Sequence, residues 1–246
     1  MIERSTHENI RLLRMAHGKA NALDLEFLHG LTAAIKEEQQ GPERALILTG
    51  TGKIFSAGVD LNRVLEGRTY LRDFLPALDA LIEALIGFDK PLIAAINGHA
   101  IAGGLVIACC ADHRICVENN ATLGVPEVVV GVPFPISALE VMRASVPPQH
   151  LRRITLQGPI LPPERALAQG LVDSLVDADT LEDRALSAAR SLAALPTASF
   201  AMSKTDLWRP FLDRMRAADK QRMIDAWCSE AVQGAIRRYV EKTLRR

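Results

Sequence analysis

Charge of one sign, paired cysteines and long apolar runs are all missing from this sequence, and each absence narrows what it encodes. Lys plus Arg and Asp plus Glu both number 29, so the formal net charge is zero. A balanced chain offers no electrostatic lead to nucleic acid or an anionic membrane, and neither is expected as a partner. The one basic concentration is C-terminal (Arg237, Arg238, Lys242, Arg245, Arg246). A solvated helix end is its simplest account, a phosphate contact the other. The four cysteines, Cys109, Cys110, Cys116 and Cys228, show no Cys-x-x-Cys spacing, which speaks against a zinc site and a disulfide framework. Three of them fall in or beside an apolar segment, as small buried hydrophobes do, and a reducing cytoplasm is the expected location. His7, His17, His29, His113 and His150 form no metal-ligand spacing, so no metal is expected. No run approaches the roughly 18 apolar residues of a membrane span. Met1 to Arg14 carries charges throughout, where a secretory signal would have an apolar centre.

What is present suits a chain that buries a large core. Of 246 residues, 48% are apolar, enough for one domain, or one with an appendage. Strand-like runs at Asn9–Met15, Arg44–Thr49, Pro91–Ile96, Ala111–Val117 and Leu171–Val176 alternate with helical stretches, an α/β pattern. Asp24 is a good N-cap for a helix with Leu25, Leu28, Leu31 and Ile35 on one side, stopped by Gly41-Pro42. Residues 62–73 read as a charged linker before an amphipathic helix over Leu75–Phe88, and Gly124–Val132 as loop with extended residues. Helices are expected over Ser137–Ser145, Pro148–Gln157, Pro163–Gln169 and Thr180–Ala194, and throughout the chain after Pro196. There Phe211, Met215, Ala218, Met223 and Trp227 mark an apolar side, fit for an interface or for packing back onto the core.

The most informative stretch runs from Asn97 to Glu127. A strand ends in Asn97-Gly98, Gly103-Gly104 opens an apolar helix, and Gly124-Val125-Pro126-Glu127 sets one carboxylate in an apolar run. Glycines let backbone approach a ligand, and a helix start presents free N–H groups that favour negative charge. A carboxylate beside such donors suits a site that polarises a carbonyl and moves a proton next to it. Residues 45–58 and 92–103 also echo each other, each a strand, a glycine, a loop and a small residue followed by glycine. Two such units side by side could aim two N–H groups at one point, as an oxyanion hole requires, although ordinary α/β repetition produces the same echo. Gly50 to Leu61 imitates a phosphate-binding P-loop but fails it, with Ile47 and Ile54 at required positions. Ser56 lacks a nucleophile elbow, Asp60 suits a cap, and His99 suits a structural role, with substrate contact as the alternative.

Five blocks taken together resemble the crotonase, or enoyl-CoA hydratase/isomerase, family: Asn21-Ala22-Leu23, Phe55-Ser56-Ala57-Gly58-Val59-Asp60-Leu61, Asn97-Gly98 through Ala102-Gly103-Gly104, Gly124-Val125-Pro126-Glu127 and Gly170-Leu171-Val172. The resemblance implies a spiral of β-β-α units over residues 1–195 and a C-terminal helical trimerisation region over 196–246, assembled as a homotrimer or hexamer. It implies an acyl-CoA substrate, with coenzyme A part of the substrate and no separate cofactor. The thioester oxygen would be held by the Val59 and Gly103 N–H groups, with Glu127 as the acid–base residue. Lys19, Ala20 and Ala22 on one turn, and Ala57, Gly58, Asp60 and Leu61 on another, would contact the coenzyme A portion.

One position departs from the hydratase pattern. Where family hydratases carry a first glutamate, three residues after the oxyanion-hole glycine, this chain has Val106. The chain is similar in this respect, and in Leu25-Glu26-Phe27-Leu28, to Δ3,Δ2-enoyl-CoA isomerases. A 3-enoyl-CoA to 2-enoyl-CoA isomerase is therefore expected, its base lined by Val106, Val125, Pro126, Val128 and Val129. Hydration by one acid, thioester hydrolysis, decarboxylation, and an acyl-CoA binder without catalysis are the alternatives.

Overall fold

The computed structural model describes residues 1–243. A hairpin, β1 (Ile2–His7) antiparallel to β2 (Ile10–Met15), leads into α1 (Leu25–Gln40). Three turns of a spiral follow. The first is β3 (Ala45–Thr49), β4 (Ile54–Ser56), α2 (Leu61–Val64) and α3 (Arg68–Ile86). The second is β5 (Leu92–Ile96), β6 (His99–Ile101) and α4 (Gly103–Cys109). The third is β7 (His113–Val117), β8 (Leu123–Gly124) and α5 (Glu127–Val130), with α6 (Ile136–Ser145), α7 (Pro148–Gln157) and α8 (Pro163–Ala168) behind it. Then come β9 (Ser174–Val176), α9 (Leu181–Ala193), α10 (Thr197–Arg216), α11 (Lys220–Trp227) and α12 (Glu230–Thr243).

Each turn of the spiral gives one strand to each of two sheets, ordered β1-β2-β3-β5-β7-β9 and β4-β6-β8. After the first hairpin every pair in both sheets is parallel. All residues of β3 and β5 are buried, which is why they read as unbroken apolar runs rather than alternating ones. In register, Leu46 faces Leu92 and Ile93 faces His113, so equivalent points of successive turns stack. The 45–58 and 92–103 echo is therefore spatial as well as sequential.

Several boundaries differ from the sequence reading, each for a local reason. β1 is a strand that the sequence does not signal, because its middle residues are polar; in the structure they are exposed, which an edge strand tolerates where a central one does not. The 62–73 segment is not a linker. Asp60 caps α2 there, accepting from the N–H groups of Asn62 and Arg63 at 2.9 and 3.3 Å, and α3 starts at Arg68. Tyr70, Leu71, Phe74 and Leu75 already form the buried stripe of α3 between charged neighbours, and Pro76 lies inside the helix. Within 124–132, Glu127 starts a short helix in place of a loop. The last sheet strand begins at Ser174 rather than Leu171.

The region after Pro196 is helical and packs back onto the core. α10 lies on α6, α11 on α3, and α12 on α2 and α5. Met215 and Trp227 are buried, and Phe211 and Met223 are partly so. Buried Lys204 of α10 donates to Asp112 Oδ2 at 2.6 Å and to the Lys90 carbonyl at 3.1 Å. Asp225 and Lys220 of α11 pair with Arg68 and Asp79 of α3 at 2.8 and 3.3 Å. Arg237 and Arg238 are exposed on α12 with Lys242 in its last turn, while Arg245 and Arg246 lie outside the described residues. No described helix is long and apolar enough to cross a membrane.

Candidate active site

The spiral leaves a cavity of about 420 Å³ between α2, α3, α4, α5 and the C-terminal helices. Its wall is mostly hydrocarbon, including Leu61, Leu78, Ile82, Ile101, Ile107 and Val130. A site of this size and lining suits a largely apolar ligand.

One side of the cavity is backbone. Leu23 forms an isolated parallel bridge with Val59: its N–H donates to the Gly58 carbonyl at 2.8 Å, and its carbonyl accepts from Asp60 N–H at 3.0 Å. Backbone groups of an extended segment alternate in direction, so Val59 N–H faces away from Leu23. Among the described residues it donates to no acceptor. Gly103 opens α4, and a first-turn N–H has no partner within its own helix. It too finds no acceptor among the described residues. The two segments are in contact. Gly58 sits at φ +80°, and a Cβ there would fall 2.6 Å from the Ile101 carbonyl and 3.0 Å from Gly103 N. A Cβ on Gly103 would meet Leu23 Cδ1 at 2.7 Å. Ala102, at φ +51°, makes the turn into α4, a conformation that L-residues adopt at a cost and that clusters at functional sites. Val59, Ala102 and Gly103 all line the cavity.

Small polar groups hold this wall still. Buried Asn21 donates to the Phe55 carbonyl at 3.1 Å and accepts from His17 N–H at 2.8 Å. Ser56 Oγ donates to the Asn21 carbonyl at 2.7 Å and accepts from Gly58 N–H at 3.2 Å. Ser56 is thus a brace with no exposure. His99 pairs through Nδ1 with Thr122 Oγ1 at 2.8 Å and stays out of the cavity wall.

On the wall formed by α5 stands Glu127, 8% exposed. Its Oε2 is buried and has no hydrogen-bond partner among the described residues. Burial pushes its carboxyl from 4.5 up to about 7, opposed only by its own backbone N–H. An acid so poised gives up and takes back a proton near neutral pH. Val106 of α4 shares the cavity and carries no titratable group. Asp60 also lines it, but one of its oxygens is committed to capping α2.

Residues 5–245 match the family model described as enoyl-CoA hydratase/isomerase. The chain belongs to that family. A carnitinyl-CoA dehydratase of Salmonella agona is 35% identical over 176 residues, covering 71% of this chain and 67% of that protein. Human mitochondrial Δ3-Δ2-enoyl-CoA isomerase superposes with a TM-score of 0.94 at 25% identity, covering 98% of this chain and 97% of that one. A Mycobacterium tuberculosis protein described as an enoyl-CoA isomerase superposes with a TM-score of 0.83 at 30% identity, over 93% of this chain and 98% of that one. A second structure of the same protein, described as a probable enoyl-CoA hydratase, gives 0.84 at 29% over 99% and 98%. Members of one family, alike in fold, thus carry names of different chemistries.

For this member of the family, the spiral brings together Ala20, Ala22, Ala57, Val59, Asp60, Leu61, Gly103 and Glu127 around the cavity. Gly58 stands behind the wall as a spacer. Lys19 is exposed beside Ala20 and outside the cavity wall. The lining around Glu127 differs from the expected one. Pro126 and Val106 do face the cavity, but Val125 is buried behind it, and Val128 and Val129 are 45% and 62% exposed. With residues 127–130 helical, it is Val130, three positions on, that shares the face of Glu127. Trp227 and Tyr239 also line the cavity. The sequence placed Trp227 on an apolar side and gave no signal for Tyr239, because nothing local says which surface a terminal helix covers.

Proposed function

We propose that the protein is an acyl-CoA double-bond isomerase, converting 3-enoyl-CoA to 2-trans-enoyl-CoA. The observation that carries this reading is a buried carboxylate oxygen, on Glu127, without a partner among the described residues, in an apolar cavity that is also lined by two residues, Val59 and Gly103, whose amides donate to no acceptor among the described residues. The thioester oxygen accepts from Val59 N–H and Gly103 N–H, which acidifies the substrate at C2. Glu127 removes that proton, and the electron pair spreads through the adjacent double bond to give a dienolate with its charge on the cradled oxygen. The protonated Glu127 then delivers the same proton to C4, leaving the double bond between C2 and C3. No atom is gained or lost, coenzyme A is carried as part of the substrate, and no water takes part. Each amide donor contributes about 3–4 kcal/mol to the transition state in comparable sites. Val106 favours this route over hydration, which in two-glutamate members needs a second carboxylate to orient water.

The likeness to a carnitinyl-CoA dehydratase supports a second reading, water elimination or addition assisted by Glu127 alone. Offering 3-hexenoyl-CoA and crotonyl-CoA separately and following enoyl absorbance separates the two. A gain with the first and no loss with the second supports isomerisation. Loss with crotonyl-CoA supports hydration, and silence with both despite acyl-CoA binding leaves a binder. This reading includes assembly as a homotrimer or hexamer, supported by exposed Val128, Val129, Leu156 and Ile160. It also includes a reducing, cytoplasmic setting, supported by four free cysteines, three of them buried.

A further inference from the structure

The C-terminal helices contribute more to the cavity than its cover. Trp227, the last residue of α11, lines the cavity while being only 2% exposed. Also on the wall are Leu78 and Ile82 of α3 and Ala138 of α6, at 3%, 0% and 4% exposure. The solvent side of the same wall is Ala57 and Asn62, both exposed. The lining thus has exposed members and deeply buried ones, and α11, which packs on α3, supplies one of the buried ones.

Trp227 is also held more firmly than packing alone requires. Its indole N–H donates to the Pro133 carbonyl at 3.1 Å, and its own carbonyl accepts from buried Gln233 Nε2 at 2.9 Å. Two residues earlier, Asp225 pairs with Arg68. Further on, α12 lies against α5, where a Cβ on Gly131 would fall 2.6 Å from Ala235 Cβ. With its indole N–H already bonded, Trp227 offers the cavity a large apolar side chain and no free indole donor. Such a surface stops a hydrocarbon chain and neither reacts with it nor hydrates it.

We propose that Trp227 is the specificity-determining residue that ends the acyl pocket and sets the longest acyl chain the protein accommodates. The C-terminal arm is then a chain-length gauge for its own subunit. The inference rests on the cavity holding an acyl-CoA and not on which reaction follows.

The test is calorimetric titration of the full chain with saturated straight-chain acyl-CoAs of increasing length. Up to the stop, each methylene tightens binding about fourfold; beyond it the gain ceases. In Trp227→Leu the affinity for the first chain past the wild-type break rises at least about fourfold, while shorter chains bind as before. An unmoved break, or an equal loss for short and long chains, overturns the proposal. A photolabel needs no variant: an acyl-CoA with a terminal diazirine, of break-point length, marks Trp227, Leu78 or Ile82 in the wild type, and a mark elsewhere overturns the proposal. If acyl-CoAs bind without turnover, the isomerase reading fails and this inference stands. If they bind with no break, only this inference fails; if none binds, both fail.

Discussion

Replacing Glu127 by glutamine tests the site through stability as well as rate. The wild-type carboxyl titrates near 7 in the folded protein against 4.5 in the unfolded chain, because burial disfavours its charge. The folded state therefore binds that proton more tightly. The stabilisation this gives is fully present below about 4.5 and is lost as pH rises through about 7. Above pH 8 the folded protein carries a buried charge at a cost of about 3 kcal/mol, while at pH 5 the cost is under about 1 kcal/mol. Glutamine matches the neutral acid in shape and never ionises. At about 2–4 °C per kcal/mol for a chain of this size, Glu127→Gln should melt roughly 6–12 °C above wild type at pH 8.5 and only a few degrees above it at pH 5. Scanning calorimetry at the two pH values measures this. The same variant should lose turnover of 3-hexenoyl-CoA and keep its affinity for acyl-CoA, since glutamine cannot shuttle the proton. A melting gap that is absent, reversed or equal at both pH values would show that no buried charge stands there. Undiminished turnover would show that Glu127 is not the base.

Because the base works deprotonated, kcat/KM of the wild type should rise as pH climbs through about 7 and then level, and a profile flat from pH 5 to 9 contradicts the assignment. Val106→Glu places a second carboxylate on the cavity face of α4. It should introduce measurable loss of crotonyl-CoA absorbance and move the rise in the isomerisation profile to higher pH, because like charges disfavour ionisation. Lys204→Met removes one partner of the buried pair with Asp112 that fastens α10 to the core. It should cost about 3–5 kcal/mol, a fall of roughly 10 °C in Tm, while sparing the pH profile of turnover by whatever enzyme remains folded.

Much of the protein could be read without coordinates, for identifiable reasons. The buried strands β3 and β5 announce themselves because both faces are covered, so every side chain must be apolar. Asp24 and Asp60 were legible as caps because capping is a contact within three residues of chain. Gly58, Gly103 and Glu127 were legible because close backbone approach and a lone acid in an apolar run are local chemical anomalies. The relation between the two echoed turns needed the spiral itself. Only parallel pairing of β3 with β5 and β4 with β6 brings the Val59 and Gly103 amides beside one cavity. The same holds for the raised affinity of Glu127 for its proton, which comes from its burial in the folded chain. The tertiary structure alone also decided that α5 is helical, turning Val128 and Val129 outward, and that the terminal helices fold back so that Trp227 lines the cavity. Sequence fixes what each segment prefers over a few residues; which surfaces meet across two hundred is settled by packing, and here packing raises the Glu127 carboxyl and lays the terminal arm against the cavity.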